Sequence, residues 1–306
     1  MEHENGKGGL ALVSELIDDR SLTTVKRMGN IVELQALQHI NLDARIRILK
    51  NHRYMVIATG EVFDMTRSVK KSDNVKSLRK TFRRLRERIN SNFSGSGNEL
   101  FVTLTFDSKL GTRPYLGDVD LIRRRYKDFV RRMKRKFGNE LVFIKVIEPH
   151  ADGHAHLHVL IKFLGLKHVF IQPDEFRSYW RWGFVKIHKI LGNTNVGAYL
   201  TAYLTDVELN NEALVYMVAH GCSRSNDVVI KNGKKFIKGG RLHYYPRDFH
   251  LFTCSRNAKF PVVSRERKMD IKKELSAGTL SFSKQYDVEI GSFSNTIQVE
   301  SYVLPS

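Results

Sequence analysis

The chain predicts an α+β fold built on one antiparallel sheet with flanking helices. Three observations carry that expectation. Between residues 101 and 207, β-branched or alternating runs and helical apolar spacing follow one another in the order β-α-β-β-α-β-α. The two central runs, 141–148 and 154–163, are joined by the turn residues His150-Ala-Asp-Gly153. Apolar residues make up 42% of the chain, enough to bury a sizeable core. This order is the split βαβ arrangement of ferredoxin-like folds, an antiparallel sheet with helices on one side.

The elements follow in turn. Residues 1–69 give mixed signals, with a helix expected over 31–50 and a short strand-like run at 54–59. An amphipathic helix over 74–92 places Val75, Leu78, Phe82, Leu85 and Ile89 at three- and four-residue spacing. The loop SGSGN leads to a strand at 101–106, and a helix over 118–137 presents Leu121, Ile122, Phe129, Val130 and Met133 to the core. After the central hairpin comes a helix over 173–180, opened by Pro173 and Asp174. An alternating strand at 183–190 and a helix at 194–207 complete the pattern. Further on, 211–221 reads as a helix and 231–241 as a basic glycine-containing stretch. Strand-like runs follow at 242–246 and 250–255, and the chain beyond 264 reads as a polar, peripheral tail.

Charge narrows the function classes. Lys and Arg number 51 against 32 Asp and Glu, a net charge of +19, which attracts polyanions such as nucleic acid. No apolar run reaches the roughly 18 residues of a membrane span. The N-terminus lacks a basic region followed by an apolar stretch, so neither membrane insertion nor secretion is expected. Cys222 and Cys254 stand far apart without C-x-x-C companions, so they read as reduced, buried thiols. Nine Lys/Arg fall between 123 and 136 and nine more between 70 and 88. Such runs can be solvated faces. Two together on a strongly basic chain point to phosphate contact, with Arg83, Arg84, Arg124, Arg125, Arg131, Arg132, Lys134 and Arg135 as candidates. Backbone contacts of this kind position a strand without specifying its sequence.

The chemistry concentrates in His154-Ala-His156-Leu-His158. On a strand, alternate side chains share a face, so the three imidazoles point one way while Ala155, Leu157 and Val159 point into the core. Glu148, at the end of the preceding strand, sits beside them across the turn. Two imidazoles and a carboxylate with open positions suit a catalytic divalent cation. Tyr199 and Tyr203, at i and i+4, share a helical face, where such a pair alone would read as core. Beside a metal site a phenol gains a role. Its pKa near 10 makes it a weak nucleophile, which attacks readily only where a cation has activated the phosphate.

Strand 101–106, the stretch Glu148-P-H-A-D-G-H-A-His156-L-His158 and the tyrosine helix resemble the three motifs of the HUH endonuclease superfamily. The likeness is strongest to rolling-circle replication initiators of small Gram-positive plasmids and phages. Flanking stretches at 77–93, WRWG at 180–183, NVGAYLTAYLTD at 195–206 and KGGRLHYYP…CSRNAKFP at 238–261 share it, so that it covers about 75–261. The resemblance implies an HUH fold and a nickase acting on single-stranded DNA at an origin hairpin. It implies His156, His158 and Glu148 as ligands of Mn²⁺ or Mg²⁺, Tyr199 as nucleophile, and Tyr203 as a second nucleophile or a supporting group. His154 lies outside the two-histidine motif, and a structural role and a DNA contact both fit it. Many relatives carry a lysine three residues after the first tyrosine, where this chain has Ala202.

The division that follows is a basic, mainly helical region at 1–98, a catalytic core at 99–208, a basic extension at 209–264 and a polar tail at 265–306. No Walker-type phosphate loop is present, so strand separation and synthesis would fall to a host helicase and polymerase in the bacterial cytoplasm. A transposase or relaxase would use the same chemistry. A non-catalytic nucleic-acid-binding module, or a metal hydrolase of a small phosphorylated substrate, would be different classes of protein.

Overall fold

The computed structural model describes residues 14–40, 45–65, 75–150, 152–190, 207–208, 228–231, 234–237, 245, 249–290 and 293–305. The first strands are β1 (Leu22–Met28), β2 (Ile31–Leu37), β3 (Ile46–Leu49), β4 (Arg53–Val56) and β5 (Val62–Asp64). Next come α1 (Val75–Asn90), β6 (Glu99–Leu104), α2 (Val119–Phe137), β7 (Leu141–Pro149), β8 (Ala155–Phe163), α3 (Pro173–Trp180) and β9 (Val185–Lys189). The short strands β10 (Val207–Glu208), β11 (Val228–Lys231), β12 (Lys234–Ile237) and β13 (Phe252–Cys254) follow. Then come β14 (Val262–Arg267), α4 (Lys272–Ser276), β15 (Thr279–Ile290) and β16 (Phe293–Val303). The fold is mixed α+β with antiparallel sheets and few helices, as expected of a sheet with flanking helices. The chain divides into two units, residues 1–64 with 261–306, and residues 65–260.

The second unit holds a five-stranded sheet in the order β13-β7-β8-β6-β9, every neighbouring pair antiparallel. The crossover β6-α2-β7 steps over β8, the hairpin β7-β8 returns, and β8-α3-β9 steps over β6. This is the split βαβ order expected. One face packs Val102, Leu104, Leu157, Val159 and Ile161 against Ile122, Phe129 and Met133 of α2 and Phe176 and Trp180 of α3. Helices on one side only was the expectation, and here the structure corrects it. The opposite face packs Val142, Ile144, Val146 and Leu160 against Leu85 and Ile89 of α1. The reason lies in β7, buried at every position and apolar on both faces, so that both need cover. A separate three-stranded sheet pairs β10-β12-β11.

The first unit departs furthest from expectation. The helix expected over 31–50 is replaced by β2 and β3. Val32, Leu34 and Ala36 alternate inward, and β2 is hydrogen-bonded on both sides, to β1 and to β16. Two ladders satisfy its backbone groups, so the period-two burial prevails over local helical spacing. The N-terminal region is therefore not mainly helical: among its described residues α1 is the one α-helix. The polar tail is likewise corrected. β14, β15 and β16 join β1 and β2 in one sheet, order β14-β1-β2-β16-β15, and β3-β4-β5 form a small sheet of their own. In the five-stranded sheet, Glu300 on β16, fully buried, accepts hydrogen bonds from the Leu16 and Ile17 amides at 2.7 and 2.8 Å and from the Tyr302 hydroxyl at 2.8 Å. Lys268 Nζ, also buried, stands 2.9 Å from the same carboxylate.

Candidate metal centre

The β7–β8 hairpin builds the site. Its register sets Glu148 opposite His156 and Val146 opposite His158. The turn is held by the His150 amide donating to His154 O (2.7 Å) and the Gly153 amide donating to His150 O (3.0 Å). Gly153 sits at φ +80°, a conformation that costs a glycine little. Across the hairpin, Nε2 of His158 lies 2.5 Å and Nε2 of His156 3.4 Å from the same Glu148 oxygen, and the two Nε2 atoms are 3.0 Å apart. All three side chains are buried, Glu148 completely.

Three acceptor-bearing groups this close fit a cation. Burial holds both imidazoles in their neutral form, His158 pushed down to about 4 and His156 well below its ordinary value, and neutral imidazole is the form that ligates. Nδ1 of His158 is 3.1 Å from Thr103 Oγ1 on β6. In the tautomer where Nδ1–H donates to Thr103, Nε2 presents its lone pair to the site, the usual outer support of a ligating histidine. The Glu148, His156 and His158 ligand atoms lie within 4.8 Å of one another, a group that could hold a metal ion. Aromatic rings wall it. His150 stacks on His156 at 4.0 Å, and Phe101 on His158 at 5.4 Å.

The other expected site residues are placed as follows. His154 lies outside the cluster, with its Nδ1 3.1 Å from Asp152 Oδ2 and its ring stacked on Tyr115 at 4.0 Å. Arg124, Arg131, Lys134 and Arg135 are exposed on α2, and Arg83 and Arg84 on α1. Arg132 is partly covered and donates to Tyr179 O at 3.0 Å. Arg125 is turned inward. It is 7% exposed, donates to Thr112 O at 2.7 Å and lies over the Trp182 ring at 4.4 Å, so it serves packing and not the surface. It falls on the buried stripe with Ile122, Phe129 and Met133, which the charge run concealed. Tyr199, Tyr203 and the helices expected over 194–207 and 211–221 lie outside the described residues, apart from Val207, which belongs to β10 with Glu208. Cys254 is free and half-buried, and Cys222 also lies outside the described residues.

Sequence reasoning passed over Thr103, His150, Phe101 and Tyr115. Thr103 and Phe101 stood in the expected strand, but only the pairing of β6 with β8 shows that they face the histidines.

Fold and site together define an α+β protein whose hairpin carries a buried two-histidine, one-carboxylate group able to ligate a cation. Residues 99–208 match the model of the Replication-associated protein ORF2 family, a replication initiator family, and the match runs from β6 to β10. No curated protein and no solved structure matches the chain. No helix among the described residues is long and apolar enough to cross a membrane.

Proposed function

We propose that the chain is a rolling-circle replication initiator of the HUH type, which nicks single-stranded origin DNA with a tyrosine. The observation that carries this reading is the convergence of Glu148, His156 and His158 on one buried point within the segment that matches a replication initiator family. A divalent cation, Mn²⁺ or Mg²⁺, supplies charge neutralisation and orientation of the scissile phosphate when bound. His156, His158 and Glu148 would hold it, and Thr103 would keep the His158 ring in the ligating tautomer. The Tyr199 oxygen attacks phosphorus as its proton passes to solvent, and the bond to the 3′ oxygen breaks, that oxygen taking up a proton from solvent. The products are a 5′-phosphotyrosine and a free 3′ hydroxyl. Because the ester retains the activated phosphate, the reverse step rejoins strands. Tyr203 serves as second nucleophile or support. Arg83, Arg84, Arg124, Arg131, Lys134 and Arg135 contribute backbone contacts. The strand is opened and copied by a host helicase and polymerase.

The test uses a labelled single-stranded origin oligonucleotide with Mn²⁺ or Mg²⁺ on a denaturing gel. A protein–DNA adduct is expected, and Tyr199→Phe should remove it while leaving binding intact. EDTA should stop nicking without abolishing salt-sensitive binding. Nicking that persists in EDTA, or no adduct with any origin strand, overturns the reading. An adduct lost in Tyr203→Phe and kept in Tyr199→Phe reassigns the nucleophile.

A further inference from the structure

One exposed aromatic near the candidate cation site has no role in ligation so far described. Tyr115 is 54% exposed, yet its ring is held: one face stacks on His154 at 4.0 Å with the planes 25° apart. Its backbone is held too. Tyr115 bridges to His154 in antiparallel fashion, its amide donates to Asp118 Oδ2 at 2.8 Å, and the Ala155 amide donates to Pro114 O at 2.8 Å. Asp152 ties the same corner by accepting from Arg113 Nη2 at 3.1 Å and from the His154 amide at 3.1 Å.

His154 immediately precedes β8 and stands two residues before His156, a span of about 6.6 Å for extended chain. The platform therefore starts one side chain away from the imidazole expected to hold the cation. An open π-face at that distance, on a strongly basic chain and next to a partly exposed arginine, fits a flat and weakly hydrated group attached to a polyanion. A nucleobase of single-stranded DNA is such a group, and base–aromatic stacking tolerates any sequence.

We infer that Tyr115, backed by His154, is a stacking platform for the base adjoining the phosphate that a cation at Glu148, His156 and His158 would orient, and that Arg113 takes a neighbouring phosphate. Tyr115 is thus a positioning residue. It fixes the strand's register, and the chemistry stays with the groups already named. The inference rests on the nickase reading for the location of the phosphate.

The experiment uses the full chain in EDTA, so that cleavage does not enter, and compares two probes by fluorescence anisotropy. One is a short oligothymidylate. The other is an abasic strand with the same number of phosphates, which cancels the electrostatic contribution. The native protein should prefer the thymidylate. Tyr115→Ala should cut that preference by roughly five- to a hundredfold while leaving abasic-strand affinity unchanged. Tyr115→Phe and Tyr115→Trp should retain it. An unchanged preference in Tyr115→Ala overturns the inference, as does a loss in Tyr115→Phe as large as in the alanine variant. Failure of the nickase reading shows separately, as a missing metal-dependent adduct in the native protein with the base preference intact.

Discussion

Thr103 and Arg125 show how much a single side chain's direction decides. The hydroxyl of Thr103 meets His158 Nδ1 at 3.1 Å, and removing it leaves the ring free to swap tautomer or turn. Thr103→Val should therefore weaken Mn²⁺ binding by about 10- to 100-fold in a calorimetric titration, with the fold unchanged by circular dichroism. Unchanged affinity would mean that the hairpin alone orients the ring. Arg125 carries its charge into a packed pocket between Thr112 and Trp182. Arg125→Ala should cost stability by about 1–3 kcal/mol in urea unfolding, since it removes a part-buried hydrogen bond to Thr112 O and the packing over Trp182, with little effect on DNA affinity.

At the scale of elements, the exposed face of α2 and the entry to β9 each make a prediction. Arg124, Arg131, Lys134 and Arg135 stand in solvent. If they contact phosphates, replacing them with alanine should shallow the salt dependence of single-strand binding by about 0.7 for each phosphate no longer neutralised, in a plot of log K against log salt. An unaltered slope would remove α2 from the interface. Gly183 passes so close to β6 that a Cβ there would fall 2.3 Å from Thr105 O. That carbonyl also accepts the Trp180 indole N–H at 2.6 Å, which anchors the end of α3. Gly183→Ala should shift the chain or its neighbour and destabilise this unit by about 1–3 kcal/mol in denaturant unfolding. The W-x-x-G spacing is thus explained by a close backbone approach.

At the scale of the whole molecule, the first unit brings the two ends of the chain into one sheet around a buried charge pair. Burial alone would raise the Glu300 carboxyl. The Ile17 amide, Lys268, Tyr302 and the Leu16 amide outweigh it and hold the group below its ordinary 4.5. The unfolded chain then takes up the proton first, so this contribution is complete above pH 4.5 and is lost as the pH falls through the lower folded value. Acid unfolding followed by circular dichroism should show this unit weakening below pH 4.5, and Glu300→Gln should remove that part of the pH dependence. At neutral pH the same variant should be less stable by about 1–3 kcal/mol, because Lys268 loses its buried carboxylate and keeps only Glu15, 2.8 Å away, as an acidic partner.

Local pattern determined a good deal of this protein. The split βαβ order, the limits of α2 and α3, the shared face of His156 and His158, and the nearness of Glu148 all follow from periodicity and turn chemistry within a few residues. Tertiary structure decided what depends on partners far along the chain. Residues 31–37 became a strand because β16, more than 250 residues away, pairs with them. Thr103 reached His158, α1 covered the second sheet face, and Arg125 turned inward only once β6, β7, β8 and α2 were assembled. Backbone hydrogen bonds and buried charges must be satisfied by whatever lies alongside, and no short stretch of sequence states its neighbour in space.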